Sequence, residues 1–150
     1  MGKVDFTKLF EGKQREVEEV RAFESNEVFP LPEWVSIEAD SRIIVNCFLS
    51  LSCPVCIELL PELPELFASY DMQFVLFIYG MEEEIAGLKE HFQFQFPVVR
   101  VADDELNEKY KVPVTPYVYI LSTDRKVISR AGIDTRHELE SLCTNYVGRT

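Results

Sequence analysis

Two cysteines three positions apart, Cys53 and Cys56 in Cys-Pro-Val-Cys, are the residues here best suited to chemistry. The pair follows the apolar run 43–49 and precedes an apolar helical pattern. A first cysteine at a strand-to-helix junction meets unpaired backbone N–H groups and the positive helix end, which both favour a thiolate. Pro54 suits the first helical turn, where its missing N–H had no partner to lose. Cys53 is therefore expected to be exposed, low in pKa and nucleophilic. Cys56 lies one turn further in on the same side, at a Cα separation of roughly 5–6 Å, within disulfide range. An attack by Cys53 would give a mixed disulfide that Cys56 can resolve.

Other uses of such a pair fare worse. Structural zinc wants four ligands, and His91 and His137 are not at ligand spacing from the single pair. A purely structural disulfide would close a loop too short to restrict the unfolded chain much. Cys47 sits in an apolar strand and Cys143 on a late helix, where an inert buried thiol is the ordinary outcome. Four cysteines in 150 residues do not make a secreted disulfide scaffold.

These residues must be held by a fold. Hydrophobic residues form 47% of the chain and Phe occupies 11 positions, enough for a core. The net charge of −11 argues against a nucleic-acid surface and suits a basic or neutral partner. No stretch approaches the ~20 apolar residues of a membrane span. The first twenty residues lack the apolar core of a secretory signal, so the chain as given reads as cytoplasmic, or as exported if a signal was trimmed.

Apolar spacing predicts a helix over 7–23, an extended stretch at Phe29–Pro32 and a short strand at 34–38. The run 42–49 reads as a strand buried on both faces. Residues 53–70 carry a helical period, kinked rather than ended by Pro61 and Pro64. Strands follow at 74–79, closed by Gly80, and at 96–101, around a helix at 82–92. Asp103 is a plausible N-cap for a helix reaching Tyr110. The acidic runs 82–84 and 103–105 look like solvated helix starts. Strands at 117–121 and 126–130 form a hairpin, Gly132 acts as a breaker, and Thr135 with Glu138 caps a last helix running to about Tyr146. The fold class is α/β: a central sheet, parallel in part and antiparallel at one side, with helices on both faces.

Two prolines precede the strand in Val-Pro-Val-Thr-Pro-Tyr-Val, residues 112–118. Taken alone, a proline there is a loop end. With the Cys pair, however, the chain resembles the thioredoxin superfamily, and more narrowly the TlpA/ResA/MauD-like thiol-disulfide oxidoreductases. The resemblance spans about residues 42–146. The Cys-X-X-Cys after a buried strand carries it, with Pro61 eight residues past Cys53, then Phe96-Pro-Val-Val99, Tyr110-Lys-Val112, Pro116 and Lys126-Val127 in order. It implies a thioredoxin-like domain over 29–150, a helix-strand insertion around 81–103, and an N-terminal helical extension over 1–28. It also implies that Cys53 attacks, that Cys56 resolves, and that Pro116 after Thr115 is a cis-proline beside which substrate backbone pairs. No cofactor is implied beyond the Cys53–Cys56 disulfide itself. The implied partners are a protein or peptide carrying thiols or disulfides, and an upstream reductase. A monomer without nucleic acid or metal is expected.

The chain also departs from the family. Ser52 stands where Trp is common, and Cys47 stands at the spacing of the buried Asp of thioredoxins proper. Glu58 is the nearest acid after the motif and a candidate proton shuttle, although a solvated helix face is the ordinary place for a Glu. These departures leave a non-catalytic peptide-binding or maturation module as an alternative. A thiol peroxidase is another, since Ser50 lies three residues before Cys53-Pro54, but Asn46 replaces the upstream proline of that group.

Overall fold

The computed structural model describes residues 20–38 and 40–147. Five strands form one sheet: β1 Ile44–Ser50, β2 Gln73–Tyr79, β3 Val98–Val101, β4 Tyr117–Leu121 and β5 Val127–Gly132. Their order is β3-β2-β1-β4-β5. β1 pairs in parallel with β2, and β2 with β3. β4 runs antiparallel to both β1 and β5. The sheet is therefore mixed, with its antiparallel part on the side of the terminal hairpin, as the element order predicts.

β1 lies at the centre and every residue of it is buried. That is why its sequence reads as one apolar run rather than an alternation. One face carries Val45, Cys47 and Leu49 and packs against α1 Pro54–Leu59, α2 Leu63–Ser69 and α4 Arg136–Thr144, with Ile85 of α3 Glu82–Phe92 in the same core. The other face carries Ile44 and Phe48 against an aromatic cluster. Phe48 stacks on Phe77 with ring centroids 4.3 Å apart, and Phe29 and Tyr110 close over them.

The helix after the Cys pair behaves as its prolines require. α1 passes through a 3₁₀ turn at Leu60–Glu62 and continues as α2. Pro61 and Pro64 each fall at the first or second position of a new segment, where a missing N–H costs least. α3 occupies Glu82–Phe92, as the spacing predicts.

Four local expectations are corrected. Residues 34–38 form no strand, because the Gln73 side chain serves them instead of a ladder. Its amide donates to Ser36 O and its Oε1 accepts from Glu38 N. Asp103 caps no helix, since its carboxylate accepts from the Tyr79 hydroxyl. In place of an α-helix there is one π-helical turn, Glu105–Lys109, with Tyr110 N reaching back to Glu105 O. Gly132 is the last residue of β5 rather than a break after it. α4 stops at Thr144, capped by Thr135 Oγ1, while Glu138 reaches to Asp134 N.

The predicted helix at 7–23 falls mostly outside the described residues, and residues 20–23 are not helical. Phe29–Pro32 has no regular secondary structure, Leu31 N bonding back to Phe29 O at 2.8 Å, and Asn26 and Phe29 hydrogen-bond to the hairpin at Val127 and Arg125. Phe23 packs edge-on against Phe29 at 5.7 Å. Among the described residues, no helix is long and apolar enough to cross a membrane.

Candidate active site

β1 ends at Ser50, and a two-residue turn delivers Cys53 to the N-cap of α1. The turn is held at both ends. Leu51 N donates to Tyr79 O, extending the parallel pairing, and Cys53 N donates to Ser50 O. Gly80 leaves room for Leu51, whose side chain would otherwise press a Cβ there at 2.7 Å. Cys53 has extended backbone, and its sulfur accepts from Cys56 N at 3.4 Å. The sulfur thereby takes up one of the orphan N–H groups of the helix start.

The second wall comes from far along the chain. Tyr117 of β4 pairs with Phe48 of β1, which brings the preceding loop to the end of β1. There the Thr115–Pro116 peptide bond is cis. Cys53 Sγ lies 3.7 Å from Thr115 O. This loop half-covers Cys53, which is partly buried rather than exposed as its position in sequence suggests. Pro116 itself is buried, and its carbonyl is fixed by Ile133 N. Val114, the residue before Thr115, and Ile57, one turn past Cys53, remain about half exposed.

Cys56 is fully buried behind Cys53. Burial pushes its thiol up to about 12, and its hydrogen bond with Cys53 adds to the rise. The Ser50 backbone and Thr115 oppose that shift by favouring the anion. Cys47 is buried beneath, and burial first, then Cys56 and Cys143, hold it protonated. Burial pushes Cys143 up to about 12 as well. Three neutral thiols thus underlie the one that reaches the surface.

The structure brings Cys53, Cys56 and Thr115 together, with Pro116 anchoring the loop. Glu58 is not brought in: it is exposed, two residues past Cys56 and so about 200° around the helix. Ser50, which the peroxidase alternative needs at Cys53, has its hydroxyl engaged with Ser52 Oγ at 2.8 Å and with Ser52 N. Among the described residues, no group of three or more His, Cys, Asp or Glu is placed to hold a metal ion. Beside the site, Tyr79, Glu84, Arg100 and Asp103 line a cavity that sequence reading missed. The two acids among them, Glu84 and Asp103, belong to runs that read as solvated helix starts. The available signal was that 50, 79 and 101 end three neighbouring parallel strands, where α/β sheets place their crevices.

No family model matches the chain. It is 30% identical over 99 residues to the methylamine utilization protein MauD of Methylophilus methylotrophus, covering 63% of this chain and 44% of that protein. The chain therefore spans less than half the length of this relative. Among solved structures, it superposes on StoA from Bacillus subtilis with TM-score 0.57 and 18% identity, over 81% of this chain and 98% of that one. A secreted disulfide oxidoreductase of Mycobacterium tuberculosis matches with TM-score 0.56 and 18% identity, over 69% of this chain and 81% of that one. A peroxiredoxin-like protein from Aquifex aeolicus matches with TM-score 0.59 and 16% identity, over 83% and 88%. The chain thus has a thioredoxin-like fold, and over 99 residues its sequence is similar to that of MauD.

Proposed function

We propose that the protein exchanges disulfides with a specific protein or peptide partner through Cys53 and Cys56. The observation that carries this reading is the asymmetry of the pair. One sulfur caps a helix at a partly open surface, and the other is buried one turn behind it. In the reducing direction, the Cys53 thiolate attacks one sulfur of the substrate disulfide. A Cys53–substrate bond forms, and the other substrate sulfur leaves as a thiolate. Cys56 then loses its proton and attacks Cys53 Sγ, releasing the second substrate thiolate and leaving a Cys53–Cys56 disulfide. Two electrons pass to the substrate, and a dithiol reductase restores the pair. The same steps run backwards form a disulfide in the partner.

The substrate chain would lie along the Thr115 backbone, with its neighbours resting on Val114 and Ile57. An apolar rim of this kind suits a partner segment rather than a small thiol. The engaged Ser50 hydroxyl leaves the peroxidase reading with less support than the dithiol reading. The test is a trap. Cys56→Ser cannot resolve, so it should hold the partner as a covalent adduct on Cys53 that mass spectrometry identifies and that reductant releases. If Cys56→Ser traps nothing that Cys53→Ser/Cys56→Ser does not also trap, exchange at Cys53 is excluded.

A further inference from the structure

An open cavity of about 340 Å³ lies directly beside the turn that carries Cys53. Ser52, the residue before Cys53, lines it, together with Leu51. Its floor is where β2 and β3 end, with Tyr79 and Arg100 on neighbouring strands. Its far wall is the start of α3, with Met81 and Glu84. The cavity thus abuts the residue that precedes Cys53.

The lining has two kinds of surface. Leu51 and Met81 offer an apolar wall, and Met81 is 66% exposed. The lining also holds two carboxylates, and each is held in place. Glu84 Oε1 accepts from Met81 N at 3.2 Å, and Asp103 Oδ1 accepts from the Tyr79 hydroxyl. Arg100 is the cation on the wall, and it is already engaged. Its Nε donates to Gly80 O at 2.9 Å, and its Nη1 faces Glu82 at 3.9 Å. With two carboxylates and one guanidinium in the lining, its net charge is negative. A long basic side chain matches both surfaces, because its methylene stem can lie on Leu51 and Met81 while its head reaches the acids. An anionic group would meet the two carboxylates and a guanidinium turned to its own neighbours.

We propose that this cavity is a specificity pocket for a Lys or Arg side chain close in sequence to the substrate's reactive cysteine. The proposal rests on exchange at Cys53. Glu84 and Asp103 are the specificity-determining residues, and Leu51 with Met81 forms the stem wall.

The test uses the full chain, reduced, and three capped tetrapeptides. Each peptide carries one cysteine as a mixed disulfide with 2-nitro-5-thiobenzoate and differs only in Lys, Ala or Glu two residues from that cysteine. Cys53 attacks the peptide sulfur, a Cys53–peptide bond forms, and the coloured thiolate leaves. The Lys peptide should react about three- to fivefold faster than the Ala peptide, the range of a partly exposed ion pair. The Glu peptide should be the slowest, and added salt should narrow the spread. Glu84→Gln/Asp103→Asn should bring the Lys-to-Ala ratio close to one. Glu83→Gln/Glu90→Gln removes the same charge from α3 outside the cavity and should keep the ratio. A ratio lost equally in both double variants would mean general attraction by the acidic protein and would overturn the pocket. Equal rates for all three peptides in the wild type would overturn the pocket while leaving exchange at Cys53 standing. A protein inert to all three would overturn the exchange reading and the pocket with it.

Discussion

Cys53 and Cys56 are one helical turn apart, yet their surroundings give them different jobs. Cys53 caps α1 and touches Thr115, whereas Cys56 is buried and its thiol is pushed up to about 12, chiefly by that burial. Once Cys53 carries a substrate, its hydrogen bond and charge no longer act on Cys56, and burial remains. Attack by Cys56 needs the thiolate, whose fraction rises about tenfold per pH unit below the pKa. Stopped-flow decay of a Cys53–peptide mixed disulfide should therefore quicken severalfold or more per unit between pH 7 and 9. A flat profile would contradict a buried, protonated resolving thiol. Glu58→Gln should leave that profile unchanged within about twofold, because Glu58 faces solvent away from Cys56. The place of the pair, one cysteine at the helix cap and one a turn further in, was legible from local chemistry alone. The half-burial of Cys53 was not, because the residue that covers it comes from 62 positions away.

At the level of elements, apolar pattern sufficed wherever burial decides conformation. β1, β2, β4 and α3 fall within a residue or two of where periodicity puts them. It failed where one side chain takes over a backbone role. Asp103 looked like a cap because its type and place suited one, but Tyr79 claims it. The chain then makes a π turn that delivers Tyr110 into the aromatic cluster, 5.2 Å from Phe48. Residues 34–38, which include the β-branched Val35 and Ile37, looked like a strand, but Gln73 supplies their hydrogen bonds from 35 and 37 positions away. Gln73→Ala should cost about 1–3 kcal/mol in chemical denaturation, the range for buried backbone groups left without a partner. It should also speed amide exchange at Glu38. A change below about 0.5 kcal/mol would show that the segment holds itself. Thr135→Ala should cost about 1 kcal/mol through loss of the α4 cap.

Across the whole molecule, the sheet order explains why the candidate site gathers at one end. Parallel pairing of β1, β2 and β3 puts three strand termini side by side, and antiparallel β4 returns the Thr115 loop to the same edge. Sequence order could suggest these strands but not their neighbours, since pairing is set by contacts far apart in the chain. The same packing buries three thiols. Cys47, Cys56 and Cys143 all have their thiols raised above the ordinary value of 9.0, mainly by burial. A raised folded pKa means that the native state keeps protons which the unfolded chain releases. That contribution to stability is complete below about pH 9 and is lost as pH climbs towards 12 and beyond. Thermal unfolding should therefore fall steadily above pH 9. Cys47→Ala should flatten that slope, even though it lowers stability at neutral pH by leaving a small cavity. An equal slope in both proteins would mean that Cys47 titrates alike folded and unfolded.

Everything proposed for the surface depends on one sulfur. Disulfide exchange with a protein substrate, followed by thiol appearance for wild type and for Cys53→Ser, tests that directly. Wild type should exchange well above the uncatalysed rate, and Cys53→Ser should fall to that rate. Equal rates for the two proteins would contradict a working dithiol at this site.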